Sequence, residues 1–149
     1  LGMNNNRVRY LKHDGVMISE VNAIVSTAPA GTFIDATYAV GLEDGKVVAT
    51  LEILSKDTSA IQLKLDYDNT RLAFEEVVFN TGNTTTNFGS ARNGRVNLGS
   101  INSNGEAIPE NSTIKVVFEG NVSSTVGLVN IFNTDAASIS GLQQILRLQ

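Results

Sequence analysis

"AIQLKLDYDNTRLAFEEVVF" occupies residues 60–79. Ile61, Leu63, Leu65 and Tyr67 alternate there with Gln62, Lys64 and Asp66, so one side of the segment is apolar and the other polar. Successive side chains of a strand point to opposite faces, and a strict period of two marks a strand buried on one face. Asp68-Asn69-Thr70 then supplies turn chemistry, and Leu72 and Phe74 open a second alternation. The segment therefore reads as strand, corner, strand. Tyr67 ends the inward row, where its ring fills the edge of a core. Asp68 is placed to accept backbone N–H groups and hold the turn.

The same period recurs outward from this stretch. Ile34, Ala36, Tyr38 and Val40 form one row, and Val47, Ala49, Leu51 and Ile53 another. Val96/Leu98, Ile114/Val116/Phe118 and the stretch from Leu128 to Phe132 follow. Asp14-Gly15, Asp44-Gly45, Asn93-Gly94 and Asn104-Gly105 punctuate the rows with dipeptides that reach positive φ cheaply in hairpin turns. Short strands at such spacing predict an all-β, two-sheet, mostly antiparallel sandwich. Its expected core includes Leu51, Leu63, Leu65, Tyr67, Phe74, Val96, Val116 and Phe118. Residues 136–148 form the one helix-like window; Gly141 interrupts it, and Ile145, Leu146 and Leu148 fit a last strand equally well.

Two segments fall outside the pattern. Residues 1–31 carry Val8, Tyr10, Leu11, Val16, Met17, Ile18 and Val21, too many apolar groups for a solvated tail. Residues 8–12 and 16–21 are expected to pair across Asp14-Gly15 as an accessory hairpin, with residues 28–31 as a linker to a sandwich over 32–149. Residues 80–95, NTGNTTTNFGSARNGR, are nearly all polar and too long for a tight hairpin, which predicts a functional loop.

Composition narrows the chemistry. The 149 residues suit one domain, and the net charge of −4 without any Lys/Arg cluster argues against a nucleic-acid surface. No cysteine is present, which removes disulfides, thiolate metal sites and a cysteine nucleophile. No apolar run approaches the ~18 residues of a membrane span, and no signal peptide is read in the sequence. Abundant Asn, Thr, Ser and Gly with sparse Lys and Glu point to an extracellular setting. His13 is the only histidine and sits in the first turn, so a His-dependent triad or multi-histidine metal site is not expected. Glu75 and Glu76 are adjacent carboxylates that a regular strand sends to opposite faces, away from joint acid–base work. Asp66, Asp68 and Asn69 cluster oxygens, but calcium takes about six to eight of them, so corner chemistry is favoured over a calcium site and no cofactor is expected.

Residues 61–74 resemble the strand–corner–strand of cohesin domains, and of carbohydrate-binding modules that share their sandwich, where an alternating strand ends in Tyr-Asp, usually before Pro. Tyr67-Asp68 and Leu72-x-Phe74 fit, and Asn69 stands at the proline position. LEDGKVVATLEIL (42–54), NGRVNLGSI (93–101), STIKVVFEG (112–120) and VGLVNIFNTDAAS (126–138) resemble further strands of that family in the same order. The resemblance implies a jelly-roll-type sandwich that is a non-catalytic, bacterial, cell-surface or secreted interaction module. Its implied partner is a dockerin-like or other surface protein. Cohesins use outward residues of the strand before Tyr-Asp, which places Gln62, Lys64 and Asp66 in a candidate binding stripe; Ala60 and Gln62 depart from the family's usual Asn and Asp. Two alternatives stand beside it. One is a carbohydrate-binding module, with polysaccharide stacking on Phe79 and Phe88. The other is a structural or assembly domain of a surface or secretion apparatus.

Overall fold

The structure is a computed structural model that describes residues 3–13, 16–26, 33–120, 129–138 and 143–148, with side chains described over 34–120 and at 129 and 136–138. The stretch that opens the sequence reading lies at its centre as β5 (Thr58–Tyr67). Ile61, Leu63 and Leu65 are no more than 1% exposed, whereas Gln62 is exposed. β8 (Arg95–Ile101) pairs antiparallel along one side of β5, setting Leu63 beside Leu98 and Leu65 beside Val96. β10 (Val129–Ser138) pairs along the other side, and β7 (Thr86–Arg92) completes this layer beyond β8.

The facing layer contains β6 (Ala73–Asn80), β9 (Thr113–Glu119), β4 (Lys46–Ile53) and β3 (Phe33–Glu43), in that order and antiparallel throughout. β11 (Gln143–Leu148) runs parallel to β3 and pairs briefly with β10, joining the two layers into one ladder. The described residues form an all-β sandwich without a helix. Inward rows of both layers meet in a single apolar cluster. The Tyr67 ring lies 4.9 Å from that of Phe118 across the layers, and Phe74 meets Phe118 edge-on at 6.2 Å. Leu51, Leu63, Leu65, Val96, Val116 and Phe118 are at most 2% exposed, and Tyr67 and Phe74 are partly buried against them.

Two local expectations need correction. Residues 80–95 are not a long loop: residues 86–92 form β7, joined to β8 by the two-residue turn Asn93-Gly94 with φ of 52° and 79°. The strand escapes a periodicity reading because its inward positions are Asn87, Gly89 and Ala91. Asn87 accepts the buried Ser100 hydroxyl at 2.6 Å. A side chain at Gly89 would bring its Cβ to 2.7 Å from Val77 Cγ2 on β6. Thr81, Thr84 and Thr85 are polar because they tie this end of the sandwich together, Thr81 to Ser100 and Thr85, Thr84 to Asn102.

The second correction concerns Glu75 and Glu76, which are both exposed instead of diverging. A bulge shifts the β6 register there: Phe74 pairs with Phe118, but Glu76 pairs with Val117 and Val77 with Val116. One extra residue on one strand reverses the phase beyond it. Of the two readings left open for residues 136–148, the strand is the one found: their described residues belong to the end of β10 and to β11.

At the N-terminus, β1 (Met3–His13) and β2 (Val16–Ser26) pair antiparallel from His13↔Val16 to Met3↔Ser26, and β2 runs beside β10, β3 and β11. Asp14-Gly15, residues 28–31 and Leu128 lie outside the described residues.

The phase of β5 can be tested by Leu65→Asp. An unpaired carboxylate at a fully buried position costs more than about 4 kcal/mol, a large share of the stability of a domain this size. The variant is expected to lose its cooperative melting transition in circular dichroism.

Candidate functional site

The outward positions of β7, β8 and β5, with the β10 positions in register beside them, form a grid whose rungs follow from strand pairing. Thr86, Ile101, Ala60 and Ala137 make the first rung. Phe88, Gly99, Gln62 and Asp135 make the second; Ser90, Asn97, Lys64 and Asn133 the third; Arg92, Arg95, Asp66 and Asn130 the fourth. Six residues of strand separate the first rung from the fourth on β5, about 20 Å.

The first two rungs carry the exposed apolar groups of this face. Ala60, Gln62, Phe88, Ile101 and Ala137, with Ile61 and Ala136, line a depression of about 180 Å³. Phe88 is 40% and Ile101 42% exposed, two of the three large apolar side chains exposed among the described residues. Gly99 makes this possible. A Cβ there would collide with Cε1 and Cζ of Phe88, so the missing side chain lets the ring lie across β8 toward β5.

The last two rungs are polar and laced across strands. Gln62 Nε2 approaches Asn97 Oδ1 at 3.4 Å, and Arg95 Nε donates to Asp66 Oδ1 at 2.9 Å. The corner supports this end. Tyr67 N donates to Gly94 O at 2.9 Å, docking the β7–β8 turn on the end of β5. Asp68 Oδ1 accepts from Thr70 N at 3.0 Å and from the Thr70 hydroxyl, while Asp68 O accepts from Arg71 N and Leu72 N. Those Thr70 donors, hydroxyl first and amide second, hold the Asp68 carboxyl below the ordinary carboxylate range.

Of the residues singled out in the sequence, Gln62, Lys64 and Asp66 share this face, and Phe88 joins Gln62 in its depression. Phe79 does not join them. The β6 bulge turns it inward beside Ile114, where it packs partly buried on the core, so Phe79 and Phe88 form no common platform. Asp66 and Asp68 are used separately, one on Arg95 and one on Thr70, instead of converging on a shared cation. Glu75 is held by Lys46, whose ammonium donates to both carboxylate oxygens at 2.6 and 2.7 Å. That hydrogen bond is the main cause raising Lys46 above its ordinary pKa. Ile101, Arg92 and Arg95 were not singled out by their own sequence context. They reach the face through strand pairing.

The sequence matches no protein-family model and no curated protein. Solved structures do match. A non-cellulosomal cohesin from the archaeon Archaeoglobus fulgidus is 17% identical with a TM-score of 0.58, over 76% of this chain and 86% of its own. The cohesin of a type I cohesin–dockerin complex from Clostridium thermocellum is 11% identical with a TM-score of 0.61, over 83% and 94%. The fold is that of cohesin modules. A cohesin module of a family 33 glycoside hydrolase from Clostridium perfringens agrees, at 12% identity and a TM-score of 0.60 over 78% and 93%. The cohesin-like sandwich is thus retained at an identity too low to carry side-chain chemistry with it.

The corner gives a pH test. A carboxyl whose folded pKa is depressed contributes stability above its unfolded value, near ~3.9, and loses it as pH falls through the folded pKa. Asp68→Asn, which mimics the neutral acid, is expected to melt below the wild type at pH 7. The gap should close as pH is lowered through the acidic range below ~4. Melting curves against pH measure it, and a gap that stays constant would remove the charge from the account.

Proposed function

We propose that this chain is a non-catalytic protein-interaction module that docks a protein partner on the outward face of β7, β8, β5 and β10. One observation carries the reading: Phe88 and Ile101 are exposed around one depression at one end of a sheet face whose other end is polar. Exposed apolar groups rimmed by polar ones are the usual anatomy of an interface centre and its surround. The C. thermocellum neighbour supports it, since that cohesin is in a complex with a dockerin. A bacterial cell-surface or secreted setting accords with the Asn/Thr/Ser/Gly-rich composition. Among the described residues no helix is long and apolar enough to cross a membrane.

Polysaccharide binding is less well supported. Stacking of several sugar rings needs a row of flat aromatic platforms, and Phe88 is the one exposed aromatic ring among the described side chains. Catalysis is less well supported, because the Glu75 carboxylate is taken up in an ion pair with Lys46.

The test is a pull-down from the source organism's secreted fraction run beside a glycan array, with wild type, Ile101→Asp and a Leu42→Asp control on the opposite layer. Wild type and the control should retain the same protein, and Ile101→Asp should lose it while melting unchanged. Binding that Ile101→Asp leaves intact, or glycan binding without any protein, would refute the reading.

A further inference from the structure

The docking face has two ends of different chemistry, and its polar end carries a like-charge pair. Arg92 and Arg95 stand directly opposite each other at the base of the Asn93-Gly94 turn. Like charges at directly opposed sheet positions are destabilising. A two-residue turn with both φ values positive fixes that register, so the pair cannot slide apart. Tyr67 and Gly94 then pin the turn to the end of β5.

Asp66 pairs with Arg95, and Lys64 adds a cation one rung away. In the last two rungs the described side chains are three cations, Lys64, Arg92 and Arg95, against one acid, Asp66; the β10 residues in register there, Asn130 and Asn133, are neutral. Among the described side chains, a chain of net charge −4 thus gathers three cations on one end of one face. The outer side of the other layer is different, with Lys46 paired to Glu75 and Lys115 to Glu43. Arg92 and Arg95 also line, with Ser90, Asn93 and Asn97, a depression of about 340 Å³. A carboxylate fits such a site well, because a guanidinium offers it a planar, two-pronged set of donors.

We infer that the partner docks by two points: an apolar side chain on Phe88 and Ile101, and one or more carboxylates on Arg92 and Arg95, about 13 Å from Phe88 and about 20 Å from Ile101 along the strands. The inference rests on the docking reading above and specifies its partner as a protein segment, acidic at one end and apolar at the other. The partner's acid joins Asp66 in facing the opposed arginines. The like-charge register is thus a feature of the free chain that binding relieves.

The probe is a display library of random peptides, selected at low ionic strength on the immobilised full chain. Recovered clones are then measured on Ile101→Asp, Arg92→Glu and Arg92→Gln. The expected clones are enriched in Asp and Glu over the input library and weaken on Ile101→Asp. On Arg92→Glu they should lose about tenfold or more in affinity, with a smaller loss on Arg92→Gln and a fall as salt rises. A clone whose carboxylates are changed to lysines should recover on Arg92→Glu. Clones that need Ile101, ignore Arg92 and show no acidic enrichment would leave the docking face standing and overturn the acidic partner. Clones indifferent to both positions would overturn the docking face and this inference with it. Both Arg92 variants should melt no lower than wild type, since each relieves repulsion; a clear drop would make Arg92 a structural residue and sink the assignment.

Discussion

The period-two phase of β5 is the constraint on which the rest of the molecule depends. Its odd positions, Ile61, Leu63 and Leu65, sit in the core, and its even positions, Ala60, Gln62, Lys64 and Asp66, form the middle of the outward face. β5 is paired on both sides, by β8 and β10, so its register is shared by three strands. A slip of one residue would exchange the two rows and expose every core group at once. Core and candidate docking face are therefore set by the same alternation, and neither can change without the other.

How much of this was legible in the sequence depended on where the apolar groups went. β3, β4, β5, β8 and β9 bury aliphatic side chains at alternate positions, and their rows could be read directly. β7 could not, because Val77 fills the space that a side chain at Gly89 would take and Ser100 hydrogen-bonds Asn87. Its one large apolar residue, Phe88, points outward. β6 misled for another reason. Counting by twos from Phe74 makes Glu76 and Val78 inward and leaves Phe79 outside; the bulge restores Val77 and Phe79 to the core and exposes both glutamates. Bulges change phase without changing composition, so alternation alone does not reveal them.

The candidate site divides along the same line. Gln62, Lys64 and Asp66 follow from local phase and were readable. Ile101, Arg92 and Arg95 join them only through the pairing of β5 with β8 and of β8 with β7, contacts between residues far apart in the chain. The Tyr67-Asp68 corner links the two sets. Its backbone holds the β7–β8 turn, and that turn fixes the arginines beside Asp66. Exposed ion pairs such as Asp66–Arg95 are worth only about 0–1 kcal/mol. The arrangement is therefore better understood as setting charge position on the face than as holding the fold together.

The most direct measurement of the central claim uses the absence of native cysteine. Single cysteines placed in turn at positions 60 to 66 can be labelled with a thiol reagent in the folded protein. The account predicts rapid labelling at 60, 62, 64 and 66 and slow labelling at 61, 63 and 65 in every variant that folds. Equal rates along the strand, or the opposite alternation, would show that β5 does not divide its residues between core and face, and the docking surface built on that division would fall with it.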